Sequence, residues 1–147
     1  MKVLLTGSSG QLGQRIISEK PSNVELISTS RKDLNLENLN DCLKAVNKYQ
    51  PNWIINCGAY TAVDNAEIEP DKAYIINAGA PKALANAIKA KGGKILHIST
   101  DFVFDGMQDR PYRPDQKRNP IGIYGATKAK GEEAIELSRL DTLWRIS

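Results

Sequence analysis

The stretch Thr6–Gly13, TGSSGQLG, decides how the rest of the chain reads. Its glycines stand at Gly7, Gly10 and Gly13, the spacing of a dinucleotide-binding loop. Alone the pattern is weak, because glycine and serine are common in turns, so its neighbours must settle it. Before it, KVLL (Lys2 to Leu5) is a short apolar run that reads as a buried strand. After it, GQLGQRIISEK places Leu12, Ile16 and Ile17 on one helical face. A glycine loop between a first strand and a first helix is expected to hold a pyrophosphate. Gly7 would allow the tight turn, Gly10 a close backbone approach to the phosphates, and Gly13 the packing of helix on strand. The helix N-terminus adds free N–H groups and partial positive charge.

Working outward, strand and helix patterns alternate. VELIST (Val24 to Thr29) reads as a second strand, and LENLNDCLKAVNKYQ as an amphipathic helix with Leu36, Leu39, Leu43 and Val46 on its apolar face. Asn52 to Tyr60 reads as a long third strand, Ala73 to Lys91 as an alanine-rich helix closed by Gly92 and Gly93, and Lys94 to Thr100 as another strand. GATKAKGEEAIELS reads as a helix and TLWRIS as the start of a further strand. This rhythm predicts an α/β fold: a doubly wound parallel sheet of the NAD(P)-binding Rossmann type, in one domain over residues 1–147. The long irregular stretch from Asp101 to Ile123 would lie at the carboxyl end of a strand, where such sheets bind ligands.

Composition narrows the class. Net charge is +3, with lysine and arginine scattered, which argues against a nucleic-acid-binding patch. No apolar run is long enough to span a membrane, and the start is too short for a signal peptide, so a cytoplasmic location is expected. Cys42 and Cys57 form no paired motif and read as structural thiols. His97 sits in an apolar strand and reads as a satisfied core residue; Trp53 and Trp144 read as packing residues. Asp64, Glu67, Glu69 and Asp71 lie near a helix start, where acids suit the dipole, so no metal site is assigned.

The second strand ends Ser28-Thr29-Ser30-Arg31-Lys32, with no acid before Asp33. A carboxylate there would accept from the ribose hydroxyls of NAD; hydroxyls and a guanidinium instead welcome a 2′-phosphate. Ser30 and Arg31 therefore favour NADP(H), with NAD(H) still compatible. YGATK places Tyr124 and Lys128 four apart, on one face of a helix. An adjacent ammonium is expected to lower the phenol pKa and make Tyr124 a proton donor to a carbonyl. HISTD adds Ser99, Thr100 and Asp101 at a strand end, where a hydroxyl would bond the same carbonyl.

TGSSGQLG, DLNL, INCGAYTAVDNAE, INAGAPKALA, HISTDFVFDG, YGATKAKGE and WRIS span almost the whole chain. Together they resemble the extended short-chain dehydrogenase/reductases, and within them the dTDP-4-dehydrorhamnose reductases. The resemblance implies Thr100, Tyr124 and Lys128 as the catalytic set, and Gly10, Gln11 and Leu12 on the pyrophosphate. It implies Asp33 and Leu34 beside the adenine, Ala59, Tyr60 and Thr61 beside the inner ribose and nicotinamide, and Thr100 and Asp101 on the sugar. Asn77 would structure the proton relay. The implied reaction is reduction of a dTDP-linked 4-keto sugar with NAD(P)H. Sugar-nucleotide epimerases share the glycine loop and the Tyr/Lys pair. A non-catalytic NADP-binding subunit, like the regulatory subunit of methionine adenosyltransferase, is also similar. The family continues into a sugar-binding lobe, so the resemblance implies that this is the cofactor part, open to a homodimer or a partner chain along its last strand.

Overall fold

A computed structural model of the chain describes residues 1–140 and the backbone of residues 143–146. The side chain of Trp144 lies outside the described residues. Five parallel strands form one sheet: β1 (Lys2–Thr6), β2 (Glu25–Thr29), β3 (Trp53–Asn56), β4 (Lys94–Thr100) and β5 (Leu143–Ile146), in the order β2-β1-β3-β4-β5. All neighbouring pairs are parallel, with Leu4 opposite Ile27 on one side and Ile54 on the other.

The order fixes where the helices go. The chain steps from β1 outward to β2, then returns across β1 to β3 and continues the other way. Right-handed crossovers therefore put α1 (Gln11–Glu19) on one face of the sheet. On the other lie α2 (Leu39–Tyr49), α5 (Ala80–Lys89) and α6 (Ile123–Ser138), packed side by side. The reversal of direction beside β1 is the switch point at which such sheets bind ligands. The doubly wound Rossmann architecture read from the sequence is the one observed.

Apolar residues of the central strands and the inward helix faces make the core: Leu4, Ile54 and Ile95 from the sheet, and Val46, Leu84, Ile88 and Ile135 from the helices, all fully buried. Burying an aliphatic side chain of this size contributes about 1.5–3 kcal/mol, so these residues drive the sheet against its helical layer.

Three elements differ from the sequence reading. The third strand is shorter, because the chain leaves the sheet at Cys57. Beyond it Gly58 N donates to the Thr6 hydroxyl, and the Tyr60 backbone bonds the Asn77 side chain instead of a strand. The alanine-rich helix is three pieces: α4 (Pro70–Tyr74), a π-helical turn (Ile75–Gly79) that carries Asn77, and α5. A short α3 (Val63–Ala66) precedes them. In α2 the buried face is Cys42, Ala45 and Val46, while Leu36 is buried in the loop before the helix. Leu39 and Leu43 line an open groove with α5 and α6.

Candidate active site

The glycine loop is built as its spacing requires. Gly7 has φ +66°, and a Cβ there would lie 2.6 Å from Gly58 N, so the exits of β1 and β3 touch only because Gly7 has no side chain. A Cβ at Gly13 would lie 2.3 Å from Gly7 O, which is how α1 comes down onto the turn. At Gly10 the nearest atom to such a Cβ is Gly7 O, at 3.4 Å, so the backbone there faces open space. Gly10 is also the N-cap of α1, with no side chain capping it, so its neighbouring N–H groups are turned outward.

Above this loop the exits of β1, β2 and β3 enclose a cleft of about 500 Å³. Gly7, Gly10, Arg31, Leu34, Ala59, Tyr60 and Thr61 line it, all of them residues expected to touch a cofactor. Gln11 and Leu12 form the first turn of α1 beside it, and Gly13 is buried beneath. The strand ends below are tied by a polar relay. Thr6 Oγ1 donates to Asn56 Oδ1, and Asn56 Nδ2 donates to His97 Nδ1 at 3.0 Å. His97 thus carries its proton on Nε2, and burial holds its pKa well below the ordinary value. Among the described residues neither its Nε2 nor Ser99 Oγ has a hydrogen-bond partner.

A second pocket, of about 390 Å³, adjoins the first. Ala62 lines the cleft and Val63 the pocket, so the two meet at this segment. Asp101, Phe102, Phe104, Tyr112 and Tyr124 form its walls. The irregular stretch after β4 is thus a site wall, and it has its own architecture. Asp105 accepts from Met107 N, Tyr112 Oη and Asn119 Nδ2; these bonds hold its carboxyl down at about 2. Phe104 stacks on Tyr112 at 4.4 Å, and Arg118 fastens the end of the loop to Glu132 and Glu136 on α6.

Of the three residues expected to be catalytic, Tyr124 lines this pocket, Thr100 stands beside its phenol, and Lys128 lies one turn further along α6. Thr100 ends β4; its hydroxyl donates to Asp101 Oδ1 at 3.1 Å and stands beside the Tyr124 phenol. Tyr124 lies in the first turn of α6, whose N-terminal Ile123 N donates to Glu67 Oε1 at 2.7 Å. Phe102 meets its ring edge-on at 5.5 Å. Lys128, one turn further, is buried and donates to the Ile98 carbonyl at 2.6 Å. Asn77 locks the arrangement: it brackets the Tyr60 backbone and donates to Thr127 Oγ1 at 3.1 Å.

The electrostatics correct one expectation. Burial pushes the Tyr124 phenol up; the Thr100 hydroxyl pulls it back and Asp101 adds to the rise. Lys128 does not lower it, because its ammonium is turned to the Ile98 carbonyl. Burial brings Lys128 itself down to about 8, against the favourable charge of Glu132. Burial also raises the Cys57 thiol to about 11 and that of Cys42 to about 12, so both are neutral thiols.

Some participants were not read from the sequence. Cys57 and Gly58 line the cleft because they follow β3 directly, a position the sheet rule points to. Glu69 and Lys72 reach the cleft from α4 and the residue before it. Tyr60 Oη donates to Glu69 Oε2 at 2.6 Å, and Lys72 bonds the other carboxylate oxygen at 3.0 Å. Glu67, read only as a dipole acid, serves the N-terminus of a distant helix instead of its own. Arg31 is bonded to Glu37.

Solved structures share this fold. A dTDP-4-dehydrorhamnose reductase from Clostridium acetobutylicum superposes with a TM-score of 0.95 at 42% identity, over 100% of this chain and 53% of that one. One from Bacillus anthracis, solved in complex with NADP, gives 0.89 at 36% identity, over 98% and 51%. Thermus thermophilus UDP-glucose 4-epimerase, at 16% identity and a TM-score of 0.80, shares the fold. Among curated relatives, the spore coat polysaccharide biosynthesis protein SpsK of Bacillus subtilis is 39% identical over 96% of this chain and 50% of its own length. The dTDP-4-dehydrorhamnose reductase of Sinorhizobium fredii is 34% identical over 92% and 46%. The chain spans about half the length of the curated relatives it matches. With the family model for the RmlD substrate binding domain matching residues 1–147, the chain belongs to that family.

Proposed function

We propose that the chain is the cofactor-binding part of an NADP(H)-dependent reductase of a nucleotide-linked 4-keto sugar, with dTDP-4-dehydrorhamnose as the substrate that its relatives' names suggest. One observation carries the reading: the glycine-floored cleft and the pocket walled by Tyr124 lie side by side, Ala62 lining the first and Val63 the second, with the Thr100 hydroxyl beside the Tyr124 phenol.

The residues fit a dinucleotide. Gly10 presents bare backbone to the cleft beside the N-terminus of α1, a cradle that a Cβ would begin to fill. A nicotinamide cofactor, when bound, supplies the hydride. The chain's own groups supply the proton and the geometry. Tyr124, its pKa raised by burial, stays protonated at neutral pH and holds the proton at Oη. A sugar carbonyl within hydrogen-bond reach takes that proton as negative charge develops on its oxygen, and the Thr100 hydroxyl beside the phenol steadies the phenolate left behind. Lys128, one turn along α6 from Tyr124, is fixed by the Ile98 carbonyl, with burial bringing its pKa to about 8. Phe102, Phe104 and Tyr112 give the pocket apolar walls.

Fluorescence titration with NADPH and NADH, followed by a dTDP-4-dehydrorhamnose turnover assay on the protein carrying this chain, tests the reading. Dinucleotide binding and cofactor oxidation that requires the keto sugar support it. Absence of dinucleotide binding at millimolar concentration overturns it.

A further inference from the structure

At the exit of β2 two side chains of opposite charge each have a fixed partner. Asp33 Oδ2 accepts from Ser30 N at 2.9 Å and from Ser30 Oγ at 2.7 Å. The turn thereby folds a carboxylate back onto the residue after β2. Those two bonds hold its pKa below the ordinary value, so it is ionised at neutral pH. Arg31 lines the cleft, and its guanidinium is bonded to the Glu37 carboxylate. That pairing neutralises the guanidinium at the end of β2 that a 2′-phosphate would use.

Resting on the dinucleotide reading above, we infer that Glu37 is a specificity-determining residue: it holds Arg31 in reserve and sets the balance between NADP(H) and NAD(H). With the pair closed, Arg31 offers no free charge to a 2′-phosphate, which suits NAD(H). With the pair open, Arg31 reaches a 2′-phosphate, which suits NADP(H). Arg31 is the partner that moves, since its side chain is 70% exposed and that of Glu37 only 31%. Exposed pairs of this kind are weak, so a phosphate with nearly two negative charges displaces a single carboxylate. Glu37 then stays nearby as a negative charge that opposes the 2′-phosphate and leaves NAD(H) untouched. Its place in the sequence, beyond DLNL in the loop before α2, gives no hint of this role; only the fold returns it to β2.

The test is a titration of the parent, Glu37→Gln, Arg31→Gln and the double variant with NADPH, NADH and the fragments 2′,5′-ADP and 5′-AMP. Removing one exposed charge next to a phosphate predicts NADPH and 2′,5′-ADP binding about three- to tenfold tighter in Glu37→Gln, with NADH and 5′-AMP changed less than about twofold. Most of that gain disappears in the double variant, and it shrinks as salt is raised. If both dinucleotides bind and Glu37→Gln leaves their affinity ratio unchanged, the role of Glu37 is wrong while the cleft reading stands. If neither binds the parent or any variant, the cleft reading fails and takes this inference with it.

Discussion

Replacing Arg118 with methionine isolates what holds the pocket wall in place. The Arg118 guanidinium bonds Glu132 Oε2 at 2.8 Å and grips both carboxylate oxygens of Glu136 at 2.7 Å. The Glu132 side chain is 0% exposed, that of Arg118 24% and that of Glu136 46%. Removing one partner of a fully buried pair costs about 3–5 kcal/mol, because the other charge is left in a poor solvent. Arg118 is a quarter exposed and Lys128 also supports Glu132, so the expected loss is about 2–3 kcal/mol. For a chain of this size that lowers Tm by about 5–10 °C. Methionine keeps much of the aliphatic stem, so the loss reports the charge and the fork and not the packing. Glu136→Gln, which weakens only the exposed half, should cost about 0.2–1 kcal/mol. Arg118→Lys should recover only part of the loss, since an ammonium cannot make the forked contact. The assay is urea unfolding of the variants, with limited proteolysis of the 104–122 loop in parallel. An Arg118→Met protein within 0.5 kcal/mol of the parent, or one whose loop resists protease equally well, would refute the claim that this ion pair fastens the wall.

Tyr124→Phe should lower turnover about 10²–10⁴-fold, the usual worth of a general acid, with NADPH affinity nearly unchanged; stopped-flow reduction and a binding titration measure the two. His97 is neutral when folded and chargeable when unfolded, so the unfolded state binds more protons below pH 6.5. Stability should therefore fall as the pH drops through and below 6.5, and His97→Gln, which keeps an acceptor for Asn56, should flatten that fall in urea melts at stepped pH.

Much of this was legible in the sequence because it is local. The glycine spacing, the apolar run before it and the four-residue separation of Tyr124 and Lys128 each depend on a few neighbouring residues and on the helix or strand period. What escaped is carried by contacts between distant residues. Asn77 stops 58–62 from continuing as a strand by bonding the Tyr60 backbone, and nothing between Asn52 and Tyr60 announces that. Leu39 and Leu43 keep the helical period of a core face, yet beside the expected Val46 it is Cys42 and Ala45 that α2 turns inward. The expected tuning of Tyr124 by Lys128 followed from spacing alone; the Ile98 carbonyl, thirty residues earlier, claims the ammonium. Arg31 was read as free for a phosphate, and its bond to Glu37 depends on how the loop before α2 folds back.

The central claim is that the glycine-floored cleft holds a dinucleotide, and Gly10→Ala tests it most directly. A methyl at Gly10 meets nothing nearer than 3.4 Å, and its backbone is in an extended conformation that alanine adopts freely. The variant should therefore fold, with Tm shifted by no more than the few degrees that a fraction of a kcal/mol allows. The methyl would occupy the space into which a pyrophosphate must come close. Calorimetric titration of NADPH into the parent and the folded variant is predicted to show binding in the first and an affinity lower by about tenfold or more in the second, about 1.4 kcal/mol or more. Equal affinity in two equally folded proteins would contradict the account.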